Sequence, residues 1–174
     1  MVPDLKTGVL TVSDKGYAGL RVDESGKAVS KLLASQGYSV VLHAVVPDES
    51  PLIARTLIQW VDEEHLALIV TTGGTGLSPR DVTPQATQQI IDFIVPGIGE
   101  AMRAKSMSAT PHAMLSRAVA GVRNTCLILN LPGSTRGALE NLEVVLPALP
   151  HALSKLAGDT SDCAPPSENH QNSK

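Results

Sequence analysis

From Thr71 to Pro84 the chain reads Thr-Thr-Gly-Gly-Thr-Gly-Leu-Ser-Pro-Arg-Asp-Val-Thr-Pro. Gly73, Gly74 and Gly76 let backbone N–H groups come close to an anion, and Thr75 and Ser78 add hydroxyl donors. No Gly-Lys-Ser/Thr follows, so this is not a P-loop, and the glycine spacing is not that of a dinucleotide fingerprint. A bare Gly-Gly-x-Gly is more often a tight turn than a site. Arg80 and Asp81, directly ahead of a helix start at Thr83-Pro84, shift the balance towards a phosphate site. Asp48 and Asp81 are the candidate metal ligands. Mg²⁺ binds through one or two carboxylates and completes its shell with substrate phosphates and water. Each also has a structural alternative: Asp48 precedes the helix at Pro51, and Asp81 suits an Asx-turn. Ser13-Asp14 is a weaker candidate, because a loop carboxylate is more commonly solvated or ion-paired.

Other chemistries find little support. Ala101 to Arg123 holds Arg103, Lys105, Arg117 and Arg123 and no Asp or Glu. This local positive bias suits an anionic small substrate, although such charges usually form a solvated face. Ser116 lies within it. The five histidines have no metal-ligand spacing, and neither a His ligand nor a His general base is expected. Cys126 opens an apolar strand and reads as a small buried hydrophobe, with Cys163 far along the polar C-terminal segment. No Gly-x-Ser-x-Gly elbow is present.

The elements that must position these residues alternate. Strands are expected over residues 5–12, 38–46, 66–72 and 125–131. Helices are expected over 23–36, from Ser50-Pro51, from Thr83-Pro84 towards Asp92, over 96–107, and after Pro132-Gly133-Ser134. Pro147 interrupts the last, and Pro150 opens a final helical segment through Leu156. This pattern predicts an α/β fold: a three-layer domain with a mainly parallel sheet flanked by helices. Ligands of such sheets bind outside the strand carboxyl ends. Ser13-Asp14, Pro47-Asp48, residues 73–81 and residues 132–134 all fall on that edge.

The 174 residues suit one domain. Residues 1–157 carry the periodic pattern, and the polar stretch 158–174 reads as a disordered tail. The chain is 43% hydrophobic, enough to build a core from Leu, Val, Ile and Ala. A net charge of -3 and only 2% aromatic residues argue against a nucleic-acid partner. No basic-then-apolar leader is visible, and the longest apolar run, Leu66 to Val70, is too short to span a membrane. The expectation is a cytoplasmic protein with no membrane partner.

The loop at residues 71–84 strongly resembles that of the molybdopterin adenylyltransferase family of molybdenum cofactor biosynthesis, to which a domain of gephyrin is related. The resemblance covers about residues 6–157. It includes Thr11 to Asp14, Val46 to Glu49, Pro111, Ala113 to Arg117, Ala120 to Arg123, and Asn130 to Ser134. It implies attack by the terminal phosphate of molybdopterin on the α-phosphate of Mg-ATP, with release of pyrophosphate. By motif, Asp48 and Asp81 match the acidic residues tied to metal and catalysis. Gly73, Gly74, Thr75 and Gly76 match the nucleotide-phosphate loop, with Ser78 following it. Ser116 and Asn130 match molybdopterin-binding positions, and Pro132, Gly133 and Ser134 match a turn at the site. Ser13 and Asp14 match the first loop. The resemblance further implies a homotrimer and hand-off of the product to a molybdenum insertase. A substrate phosphate that attacks directly needs no protein nucleophile, which suits a site of carboxylates, hydroxyls and N–H groups. A non-catalytic molybdopterin-binding or scaffold protein is the alternative of a different class. Asp48 and Asp81 argue against it.

Overall fold

β1 (Lys6–Val12), β3 (Leu68–Thr72) and β6 (Cys126–Leu131) are buried on both faces, as apolar residues at adjacent positions require: Val9-Leu10, Leu68-Ile69-Val70 and Leu127-Ile128-Leu129. In this computed structural model, which describes residues 5–161, they form the centre of a six-stranded sheet in the order β2-β1-β3-β6-β5-β4. The neighbours are β2 (Ser39–Val46), β5 (Ala120–Arg123) and β4 (Phe93–Ile94). Pairing is parallel from β2 through β6 and antiparallel at β5 and β4.

Successive strand residues point to opposite faces, so each face has its own core. Val9, Leu68, Val70, Leu127 and Leu129 pack with α2 (Glu24–Ser35), α5 (Pro96–Met107), α6 (Thr135–Val145) and α7 (Leu149–Leu156). Leu10, Ile69, Cys126 and Ile128 pack with α3 (Ser50–Asp62) and α4 (Thr83–Gln88). Cys126 is buried as expected, and burial pushes its thiol up to about 12, so it is inert at neutral pH. The expected three-layer α/β domain is therefore present.

The differences lie at boundaries. The helix expected to run from Thr83 towards Asp92 stops at Gln88, and the chain enters edge strand β4. The β5–β6 hairpin is absent from the sequence expectation. It turns at Asn124-Thr125, with Asn124 at a φ of +52°. A single turn, α1 (Asp14–Tyr17), follows β1. Ser50 and Thr83 are the first helical residues rather than caps, and neither makes a side-chain cap bond. Residues 158–161 form a hydrogen-bonded turn: Lys155 Nζ donates to the carbonyls of Asp159 and Ser161, and Asp159 accepts from the Ser161 N–H. The remainder of the stretch expected to be a tail, with Cys163, lies outside the described residues.

The order of strands sets the site. The chain crosses from β1 to β2 on one side and from β2 back to β3 on the other. Connections leave β1 and β3 in opposite directions, which opens a crevice at their carboxyl ends.

Candidate active site

The loop after β3 leaves the sheet at Gly73 and Gly74, whose φ angles are +104° and +65°. A Cβ on Gly73 would lie 2.3 Å from the Val12 carbonyl oxygen, and one on Gly74 would lie 2.3 Å from Thr83 Oγ1. Only glycine fits at either position. The Thr83 hydroxyl donates to the Gly73 carbonyl, which ties the loop to α4. The Gly73 N–H donates to the Leu131 carbonyl. It is therefore not available to an anion, a correction to the expectation for that residue. The N–H groups of Gly74, Thr75 and Gly76 make no protein hydrogen bond among the described residues.

Asp81 closes this loop. Its Oδ2 accepts from the Ser78 N–H at 2.8 Å, and the Ser78 hydroxyl accepts from the Arg80 N–H. Ser78 is thus a turn residue, exposed and on the wall of neither cavity described below. Asp81 serves both as a turn residue and as a carboxylate, because its other oxygen has no protein partner among the described residues.

Opposite stands Asp48, half-buried after β2. Its Oδ2 accepts from the Asp14 N–H at 2.8 Å, while its own N–H donates to Asp14 Oδ1 at 3.0 Å. This reciprocal pair joins the ends of β1 and β2. Arg80 reaches across from the β3 loop and donates to both Asp14 oxygens, at 2.8 and 3.0 Å. The two acids respond oppositely. The Arg80 hydrogen bond holds Asp14 below its ordinary value. Burial pushes Asp48 up, and the negative charges of Asp14 and Asp81 push the same way. Asp14 is thus committed to an ion pair, the commoner fate of such a residue.

Two cavities open along this edge. The larger, about 780 Å³, is bounded by Ser13, Asp48, the loop and first turn of α2 at residues 21–25, and Gly73. Asp23 forms part of that wall. It caps α2 by accepting from the Gly26 N–H and also accepts from the Thr11 hydroxyl, with His43 Nε2 at 2.7 Å. Burial raises Asp23, but these bonds outweigh it and leave the carboxyl below its ordinary value. The smaller cavity, about 460 Å³, is bounded by Thr75, Gly76, Arg103, Ser116 and Pro132. Gly74, Asp81, Gly133 and Ser134 line both cavities. The site therefore has two compartments that meet at a carboxylate and a glycine turn.

A divalent cation fits the donors at that junction. Asp81 lies close enough to Asp48 for its charge to raise the cost of ionising it, and each keeps one carboxylate oxygen without a protein partner among the described residues. No group of three or more His, Cys, Asp or Glu side chains gathers among the described residues. Two carboxylates completed by phosphate oxygens are what Mg²⁺ ordinarily uses.

Residues 8–151 match the family described as probable molybdopterin binding domain. The chain belongs to that family. It is 42% identical over 154 residues to molybdopterin adenylyltransferase from Helicobacter pylori, covering 87% of this chain and 88% of the relative. It is 42% identical over 170 residues to gephyrin from Dictyostelium discoideum, covering 92% of this chain but 24% of that much longer protein. Among solved structures, the molybdopterin biosynthesis enzyme MoaB from Thermus thermophilus superimposes with a TM-score of 0.84 at 53% identity, covering 89% of this chain and 98% of the other.

The residues matched to pterin binding separate in the structure. Ser116, Pro132, Gly133 and Ser134 reach the smaller cavity. Ser134 also caps α6, accepting from the Gly137 N–H. Asn130 lines neither cavity. It is fully buried within β6, donating to the Thr71 and Thr87 hydroxyls at 3.0 Å and accepting from the Val119 N–H. Its amide is saturated by β3, α4 and the segment before β5, so a direct pterin contact is corrected to a structural role. Sequence reasoning also missed the Asp14–Arg80 clasp and the inward use of the arginines. Arg123 binds Asp62 and the Ile90 carbonyl, and Arg103 binds the Ala118 carbonyl. Residue spacing carries no signal for these long-range contacts. Asp23, followed by Gly26 and a helix, did carry a cap signal.

Proposed function

We propose that this protein is a molybdopterin adenylyltransferase that uses the larger cavity for ATP and the smaller for molybdopterin. The observation that carries this reading is the wall shared by the two cavities, to which Gly74 and Asp81 both belong. A terminal phosphate oxygen of molybdopterin attacks the α-phosphorus of ATP. The bond from that phosphorus to the bridging oxygen breaks, and pyrophosphate leaves with the electron pair. No side-chain nucleophile takes part.

The protein's work is positioning and charge stabilisation. The N–H groups of Gly74, Thr75 and Gly76 are offered to the substrate phosphates, Gly74 from the wall shared by both cavities and Thr75 and Gly76 from the smaller one, while the Arg80 guanidinium braces the site from behind through Asp14. Ser116 and Ser134 hold the pterin phosphate. Mg²⁺ held by Asp48 and Asp81 would offset the charge of the triphosphate and of the departing pyrophosphate.

The same reading places the protein in the cytoplasm as a homotrimer that passes its product to a molybdenum insertase. Among the described residues no helix is long and apolar enough to cross a membrane. Edge strand β4 leaves Phe93 and Ile94 each 55% exposed, a surface suited to self-association. The test of function is pyrophosphate release from ATP. Release that depends on added molybdopterin supports the proposal. Tight molybdopterin binding with no release would indicate the scaffold alternative.

A further inference from the structure

Arg117 belongs to the acid-free stretch, where a substrate anion is the obvious partner for a cation. The structure turns it the other way. Its Nε donates to the Gly76 carbonyl at 2.8 Å and its Nη2 to the Asp81 carbonyl at 2.5 Å. Its backbone N–H donates to the Thr75 carbonyl at 3.0 Å. One residue thus binds both ends of the loop that starts at the glycines and finishes at Asp81. The planar guanidinium fork can hold two carbonyls at a fixed separation. Arg117 is half-buried and adjoins Ser116, which lines the smaller cavity. Behind it, Arg103 of α5 donates to the Ala118 carbonyl at 3.0 Å and fixes the segment that carries Arg117. The carboxylate of Asp81 has only the Ser78 N–H to orient it from within the loop.

We infer that Arg117 is a positioning residue for AMP transfer: its fork sets the span between Gly76 and Asp81 and so fixes the Asp81 carboxylate at the junction of the two cavities. It touches neither substrate. The inference rests on the adenylyltransferase reading and adds to it the residue that holds the loop in shape.

A double-mutant cycle tests this, using Arg117→Ala, Asp81→Asn and the pair in the full-length protein. A displaced catalytic group costs on the order of 10²-fold in rate, so Arg117→Ala is expected to lower kcat by about that factor. The KM values for ATP and molybdopterin should stay within about threefold, because only a step-specific interaction is lost. In the Asp81→Asn background the same substitution should cost less than about threefold more, because its effect passes through Asp81. Binding of a non-hydrolysable ATP analogue gives a readout besides turnover: Arg117→Ala and Asp81→Asn should weaken its Mg²⁺-dependent part alike and leave its metal-free part unchanged. Arg117→Lys keeps the charge but not the fork; it should lose at least about tenfold in kcat and carries the cycle if the alanine protein does not fold. Additive losses, a wild-type kcat in the lysine variant, or a selective loss of molybdopterin affinity would overturn the inference while wild-type turnover stands. Absence of turnover in the wild-type protein would instead overturn the adenylyltransferase reading and the inference with it.

Discussion

Asp48 is held in a charged state that its surroundings disfavour. Its carboxyl lies above the ordinary value because of burial and the charges of Asp14 and Asp81. A carboxyl raised on folding favours the native state when protonated, and that contribution is lost as pH rises through the native value. At neutral pH the ionised group therefore works against folding. Asp48→Asn keeps an oxygen for the Asp14 N–H and removes the charge. Its Tm should exceed that of wild type at pH 7, with the difference shrinking as pH falls through the carboxylate range. A wild-type protein that melts higher than the variant at pH 7 would refute this. Ser116 borders only the smaller cavity. Ser116→Ala should weaken molybdopterin binding by about 1.5–3 kcal/mol, the value of a hydrogen bond to a charged group, and change ATP binding little; titration with each ligand measures the split. Much of this site was legible in residue type: carboxylates, a glycine run and hydroxyls on loops that follow strands. What was not legible was direction. Asn130 and Arg117 have the right chemistry for ligands, yet both are consumed by backbone and hydroxyl partners far away in sequence.

The elements that hold these groups were read well where local physics decides them. α2 and α6 show apolar residues at the spacing of one helix face, and Leu68-Ile69-Val70 in β3 and Leu127-Ile128-Leu129 in β6 are apolar at successive positions because both faces are covered. β4 and β5 were missed because their evidence is tertiary. β4 is two residues long, and both strands exist as strands only through antiparallel pairing, β5 onto β6 and β4 onto β5. Ser50-Pro51 and Thr83-Pro84 marked helix starts correctly, but one residue out, since both hydroxyls sit inside the first turn. At Thr83 the shift matters, because its hydroxyl anchors the glycine loop instead of a cap. Gly74→Ala tests that junction. A left-handed φ costs an L-residue about 1–2 kcal/mol, and the clash with Thr83 adds to it. The variant should melt several degrees below wild type and lose turnover. An unchanged Tm would mean that the loop relaxes freely and is not tied to α4.

In the whole molecule, a mainly parallel sheet opens one crevice at its carboxyl edge, and two cavities meet there at Asp81. Self-association belongs at this scale, and sedimentation equilibrium at micromolar concentration should give three times the chain mass of 18.2 kDa; a monomer would contradict the trimer. The central claim is AMP transfer between the two cavities. Its most direct measurement follows ATP labelled at the α-phosphate through incubation with molybdopterin and Mg²⁺. The account predicts that label appears on the pterin product with an equal amount of unlabelled pyrophosphate. It also predicts that Asp81→Asn, which retains the turn to Ser78 and an unchanged Tm, cuts the rate by about 10²-fold or more. Molybdopterin that binds without acquiring label, or an Asp81→Asn protein with the wild-type rate at limiting Mg²⁺, would contradict it.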